Sequence, residues 1–306
     1  GPEMSDKAAA WKAFWAQQGS GGNATGCLPA RWQSVFAELE GGWRKFAAGL
    51  PENARVLDLA TGDARVLHWL GQARADLTRT GVDLAPSLPP APPGVSIHTG
   101  VAMESLPFED DGFDAVVSQF GVEYGEPPAI AREVARTTTE DAAVALIVHR
   151  GDGAILAHNL ARAEQIRWVL DETGLIDATK AAVTEGSAPW ATATASVAAV
   201  VEEGRQRYGD RSAGWEIPEA IRRSLVMGAQ AGDSAAGVIG LLDRIESQAR
   251  NELARIDSLT GACETSDARE GFLAAFEAHD LALTGSRELH DAAGRLFAEM
   301  LELRRA

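Results

Sequence analysis

Val56-Leu57-Asp58-Leu59-Ala60-Thr61-Gly62-Asp63-Ala64-Arg65-Val66 is the stretch on which the fold turns. Its first four residues read as a short apolar strand carrying one acid. A turn of small residues follows, and a new apolar periodicity of helical spacing opens at Arg65. Small residues let a backbone approach a ligand closely, and the first turn of a helix offers unpaired amide hydrogens at the positive end of its dipole. A pyrophosphate cradle would read G-x-G-x-x-G, and this stretch does not have that pattern. Alanines at 60 and 64 permit fewer unusual backbone angles than glycines, so the turn suits a ligand that needs closeness more than an anion cradle.

Working outward, a second acid stands in Thr80-Gly81-Val82-Asp83-Leu84, at the end of the next apolar run. A carboxylate on a neighbouring strand end can accept two hydrogen bonds from a ribose diol; by itself such a residue is more often a helix cap or a solvated loop acid. Strands are predicted over 55–59, 80–84, 95–99, 113–118 and 143–149. Several are separated by enough residues for crossovers, which is the pattern of a parallel sheet covered on both faces. Beyond 151 the pattern changes to amphipathic stretches rich in Ala, Arg and Glu, predicted helical over 155–170, 196–208, 218–229, 234–258 and 266–278, with breakers at 171–174 and 209–212. Strand-like runs return at 281–289 and 296–303. The second has helical propensity, and only sheet topology favours a strand there. At the other end, Trp11, Phe14, Trp15, Trp32, Phe36, Trp43 and Phe46 fall at roughly helical spacings around Gly19-Ser20-Gly21-Gly22-Asn23, which predicts short helices with a mobile joint.

Against 28 Lys and Arg stand 44 Asp and Glu, a net charge of −16 that repels a polyanion and argues against nucleic acid as a partner. The two cysteines, Cys27 and Cys263, lie far apart without metal-ligand spacing, so neither a disulfide framework nor a metal site is expected. The opening Gly-Pro-Glu-Met reads as a cleavage scar before the native start, with no apolar signal segment after it. Apolar stretches are too short to span a bilayer, and a reducing cytoplasm is the expected location.

Taken in order and spacing, the 56–66 stretch, Gly81-Val82-Asp83 and ESLPFEDDGFDAVVSQFGVEY over 104–124 resemble the successive motifs of class I S-adenosylmethionine-dependent methyltransferases. The resemblance covers 55–150. It implies an α/β fold with a Rossmann-like seven-stranded sheet and a large helical insertion, and S-adenosylmethionine as cofactor. Asp58, Ala60, Thr61 and Gly62 would hold its methionine end and Asp83 its ribose. Leu84, Ala102 and Met103 would border the adenine, with the Met103 amide as donor; an acid often stands in that family where Ala102 aligns. Gln119 and Phe120 would border the methyl group. The expected organisation is an N-terminal helical lid (4–46), a cofactor-binding core (47–150), a helical cap insertion (151–279) and closing strands (280–306).

For chemistry, His149 ends the fifth predicted strand on the ligand edge, where an imidazole could take a proton from a hydroxyl or amine. Glu123 and Tyr124, in the loop after the fourth, are placed to line a substrate pocket. A strand-ending histidine and a solvated loop pair are the plainer readings of these residues, and the aromatic N-terminal rings read either as core or as a lid over the cofactor built on Trp11, Trp15 and Trp32. His158 could face either way, and His68 is read as a plain helix residue. The expected activity is methyl transfer to oxygen or nitrogen of a small molecule or peptide. The Asp or Asn followed by Pro-Pro-aromatic of nucleic-acid amino-methyltransferases is absent, Ser118-Gln119-Phe120-Gly121 standing in its place. Two alternatives stay open. One is a non-catalytic S-adenosylmethionine-binding protein acting through a partner. The other, a nicotinamide-dependent oxidoreductase, is disfavoured by the missing G-x-G-x-x-G. A homodimer is likewise left open.

Overall fold

A computed structural model of the chain describes residues 30–306. Trp11, Trp15, Cys27 and most of the expected 4–46 lid lie outside the described residues. Two compact units divide the chain: residues up to 156 together with 257–306, and residues 157–256.

The first unit is built on seven strands: β1 (Arg55–Leu59), β2 (Thr78–Val82), β3 (Val95–His98), β4 (Phe113–Gln119), β5 (Thr138–His149), β6 (Leu281–His290) and β7 (Leu296–Arg305). They form one sheet in the order β3-β2-β1-β4-β5-β7-β6, with β7 antiparallel to both neighbours. The alternation of side chains along the central strands separates two apolar layers. Val56, Ala115, Val117, Ala145 and Ile147 face one way, against Val35, Leu39 and Trp43 of α1 (Ala30–Ala48) and Leu67 and Leu70 of α2 (Arg65–Ala73). Leu57, Leu59, Val116, Val144 and Leu146 face the other, against Ile130 and Val134 of α3 (Pro127–Thr137) and Phe272 and Phe276 of α9 (Arg269–Glu277). Both faces are therefore covered, as the near-continuous apolar runs of β1, β4 and β5 require.

Residues 296–305, ambiguous by propensity, are a strand. Asp291 closes the hairpin before them: its carboxylate accepts from the N–H groups of Ala293 (3.0 Å) and Arg295 (2.9 Å), and Gly294 takes a φ of +78°. The strand then pairs along β5 from Ala143↔Arg304 to His149↔Ala298. β2 ends two residues before the expected boundary because Asp83 begins the turn, its carbonyl accepting from Val101 N–H at 2.9 Å.

The second unit is helical. It takes most of α4 (Ala154–Arg167), a wide turn at Trp168–Glu172, α5 (Leu175–Glu185), α6 (Ala191–Tyr208), α7 (Ala213–Gln230) and α8 (Ala235–Asp267) as far as 256. Its core gathers Ile166, Trp168, Val183, Val197, Ile221, Leu225 and Leu242. α6 and α7 cross at Gly204, where an added Cβ would meet the Gly214 carbonyl oxygen. No helix among the described residues is long and apolar enough to cross a membrane.

Candidate functional site

Parallel pairing of β1 with β2 sets Leu59 opposite Val82, so the chain leaves both strands at one edge of the sheet. Thr61 N–H donates to the Val82 carbonyl (2.9 Å), folding the turn back over β2. Asp83 then receives Gly62 N–H on one carboxylate oxygen and Ala85 N–H on the other, each at 2.9 Å. The turn is left-handed at every second residue: φ is +56° at Ala60, +57° at Gly62 and +60° at Ala64. The alanines thus adopt the angles that their Cβ atoms disfavour, at roughly 1–2 kcal/mol each. Arg65, opening α2, pairs with Asp63 at 3.0 Å and lies 4.5 Å over the Phe36 ring of α1.

Asp58 points from β1 beneath this turn, 1% exposed, and accepts the Thr61 hydroxyl proton at 2.7 Å. No cationic side chain pairs with it among the described residues. Burial, with smaller contributions from the Asp83 and Asp63 charges, pushes its carboxyl up to about 8. Asp83 is also raised by burial, against the pull of the amide hydrogens it accepts. Three carboxylates therefore share a small volume with one arginine between them. Beyond Asp83, Leu84, Ala102 and Met103 are half-buried, and the Met103 methyl and the Glu104 carboxylate both lie against Gly125, where an added Cβ would collide with them.

The ends of β4 and β5 bring the second group of residues together. Gln119 accepts the indole proton of fully buried Trp43 at 2.8 Å, so its carbonyl oxygen is engaged by α1. Phe120, at φ +53°, stacks on His149 with centroids 4.0 Å apart and planes within 12°; the Tyr124 ring meets His149 edge-on at 5.9 Å. Burial drives the His149 imidazole down to about 3, so it is neutral. The His149 amide donates to Glu123 Oε2 at 2.6 Å, and its carbonyl accepts from the Ser266 hydroxyl at 2.5 Å. Glu123 is 1% exposed; its Oε1 has no hydrogen-bond partner, and burial raises its carboxyl to about 7. His68 is exposed on α2 and His158 half-buried on α4.

Residues 57–146 match the family model described as a methyltransferase domain. That match runs from β1 into β5 and takes in under a third of the chain. A ubiquinone/menaquinone biosynthesis C-methyltransferase, UbiE, of Citrifermentans bemidjiense is 36% identical over 93 residues, covering 26% of this chain and 40% of that protein. The match thus spans two fifths of that relative's length. Among solved structures, an S-adenosylmethionine-dependent methyltransferase from Aquifex aeolicus is 20% identical, with 36% of this chain and 64% of that one covered and a TM-score of 0.31. A chain in the complex of a methyltransferase activator with a methyltransferase from Haloferax volcanii is 15% identical, with 86% and 93% covered and a TM-score of 0.40.

Around these strand ends, several supporting residues were not singled out in the sequence. Ser118 donates its hydroxyl to the Leu59 carbonyl at 3.0 Å, locking β4 to β1 under the turn. Gly121 passes so close that an added Cβ would sit 2.5 Å from Ser118 Oγ and 2.7 Å from Ala60 Cβ. Cys263 lies buried on α8, its thiol pushed up to about 12 by burial and by nearby acids that include Glu123. Gly121 carried a local signal, in the run Gln119-Phe120-Gly121 after a strand. Cys263 carried none, because only folding brings α8 to this edge.

Proposed function

We propose that the chain transfers a methyl group from S-adenosylmethionine to an oxygen or nitrogen of a small molecule or peptide. The observation that carries this reading is the excess of acid at the end of β1: Asp58 is buried and, among the described residues, unpaired by any cation, with Asp63 and Asp83 close enough to raise it further. A site of that kind favours a ligand that brings positive charge, and S-adenosylmethionine carries an ammonium and a sulfonium. Asp58 and the 60–64 turn would hold the methionine end, Asp83 the ribose hydroxyls, and Leu84, Ala102 and Met103 the adenine, with Gln119 and Phe120 bordering the methyl group.

When bound, the cofactor supplies an electrophilic methyl group; the protein's part is to align the acceptor, exclude water and receive a proton. Among His149, Tyr124 and Glu123, the carboxylate is the group suited to take that proton. Its value near 7 is matched to neutral pH, and Oε1 is without a partner while Oε2 is anchored. The imidazole of His149, kept neutral, would position Phe120 and Tyr124.

Methyl-labelled S-adenosylmethionine and a host extract test the reading, with mass spectrometry for a product that has gained one methyl group. Turnover on an oxygen or nitrogen is expected. A labelled product methylated on carbon would overturn the acceptor assignment. Tight cofactor binding by calorimetry without any labelled product would instead support a cofactor-binding protein that acts through a partner.

A further inference from the structure

A cavity of about 340 Å³ opens in the first unit, between the C-terminal half of α1 and the sheet where β5, β7 and β6 run side by side. That volume lies in the range of small-molecule sites. Phe46, Leu50, Ala143 and Met300, buried members of the apolar layer on the α1 side, form its floor. Ala143 stands six residues before His149 on β5, so the floor lies about 20 Å along the strand from the Glu123 and His149 cluster. β6 is irregular at this point: its pairing with β7 slips between Leu283 and Gly285, and the Thr284 hydroxyl donates to the Glu302 carbonyl at 3.2 Å. Such bulges re-aim side chains and recur beside binding sites.

Charge sets this cavity apart from an ordinary crevice. Lys45, Arg287 and Arg304 line it, three cations together in a chain whose net charge is −16. Arg287 is fixed: its Nη1 pairs with Glu38 at 3.1 Å, and its Nη2 lies against Gly42, where an added Cβ would come within 3.3 Å of it. Lys45 and Arg304 have no carboxylate partner among the described residues, and Arg304 donates to the Asp141 backbone carbonyl at 3.3 Å. Glu302, the one acid of the described lining, stands two residues from Arg304 on β7 and makes no ion pair either. Three cations against Glu302 and Glu38 leave one net positive charge. The end of α1, whose free carbonyls would repel an anion, is covered: Arg74 Nη1 donates to the carbonyls of Ala47 (3.0 Å) and Leu50 (2.8 Å).

We infer that this cavity binds a small organic acid, its single carboxylate held by Lys45 and Arg304 and its apolar body resting on Phe46, Leu50 and Met300. A carboxylate takes charge-assisted hydrogen bonds from an ammonium and, through a planar fork, from a guanidinium. Lys45, Arg287 and Arg304 are all exposed, so the acid meets them with no part of the chain displaced. Glu302 and Glu38 repel the further charges of a polyphosphate, and the apolar floor rewards a body that inorganic anions lack. The inference goes beyond the methyl-transfer reading and does not depend on it.

The full chain has four methionines, so 13C labelling of their methyl groups gives four resonances to follow in a titration. Met300 lines this cavity and is the reporter; Met103, against Gly125 near the proposed cofactor site, is the control. Each is identified by its loss in Met300→Leu or Met103→Leu. The probes are benzoate, benzamide, which has nearly the same outline without the charge, and inorganic phosphate, which has no apolar body. Expected is a saturable shift of the Met300 methyl with benzoate, with a Kd on the order of 1 mM and Met103 unmoved, and binding of benzamide and phosphate at least about tenfold weaker. Replacing Lys45→Gln and Arg304→Gln together removes the advantage of benzoate over benzamide and leaves the unfolding temperature unchanged, because both side chains are exposed. The inference is overturned if Met300 stays put up to about 50 mM benzoate, roughly fifty times the expected Kd. It is overturned equally if benzamide or phosphate binds as tightly, if the double variant binds benzoate like the native chain, or if Met103 alone moves. None of these readouts involves methyl transfer, so failure here is distinguishable from failure of the proposed activity.

Discussion

At the ends of β1 and β2, Asp58, Asp63 and Asp83 crowd under a turn strained at two alanines, and their partners are amide hydrogens, one hydroxyl and one arginine. At the ends of β4 and β5, on the same sheet, Glu123 stands with Phe120, Tyr124, neutral His149 and the Cys263 thiol, and Asp267 accepts from the Gly151 amide beside them. The first region crowds three carboxyl groups around one arginine, and burial keeps Asp58 protonated at neutral pH until a cation pairs with it. The second removes water and leaves one oxygen without a partner. The difference divides the labour: one region is suited to capture a cation, the other to receive a proton.

The sharpest way to break this division is Glu123→Gln. It should lower kcat by about 10²–10⁴-fold with little change in cofactor affinity, and remove the rise in rate with pH through about 7. A loss confined to cofactor affinity, measured by calorimetry, would place Glu123 in the capture region instead.

Next in size is Asp58→Asn. Cofactor affinity should fall about 10–100-fold, the worth of a charge-assisted contact. In the native chain, pairing with an ammonium would release the Asp58 proton, so affinity should climb as pH rises to about 8 and level off above it; the variant should show a flat profile.

The free chain gives a related test. Asp58 and Glu123 both sit above their unfolded values, so their protonated forms add stability that is complete below about pH 4 and is lost as pH rises through about 7 for Glu123 and about 8 for Asp58. His149, held at about 3, adds stability that is lost only as pH falls from 6.5 through 3. Thermal unfolding between pH 6.5 and 8 should therefore show a declining Tm, and Asp58→Asn should recover roughly 2 kcal/mol at the upper end.

The two smallest effects probe the turn itself. Gly121→Ala should cost about 2 kcal/mol in denaturant unfolding, since its Cβ has no room between Ser118 and Ala60. Ala60→Gly and Ala64→Gly should each stabilise by about 0.5–1 kcal/mol, relief of the left-handed angle outweighing the entropy of glycine. Unchanged stability would mean that the turn relaxes in solution to angles an alanine prefers.

The sheet was legible because its evidence is local and periodic: short apolar runs, small-residue turns and crossovers of sufficient length. β7 is the exception. Leu296 to Leu301 suits a helix by propensity, and the Asp291 hairpin with pairing along β5 overrides it. α5 escaped notice because Asp171-Glu172-Thr173-Gly174 reads as a breaker. The chain instead passes through a wide helical turn at 168–172, pivots at Gly174 (φ +58°) and starts again with Thr173 Oγ1 accepting from Leu175 N–H at 3.2 Å. In the site, Asp58, Gly62 and Asp83 could be grouped from spacing along neighbouring strands. The engagement of Gln119 by Trp43, 76 positions away, could not.

By itself the sequence determined the order of elements, the two faces of each central strand and the acids at the first two strand ends, because strand periodicity and turn chemistry act over a few residues. Tertiary structure alone decided which carboxylates stay protonated, which alanines bend left-handed and which carboxylate oxygen is left without a partner. Desolvation, strain and hydrogen-bond satisfaction depend on atoms that distant parts of the chain bring within a few ångströms.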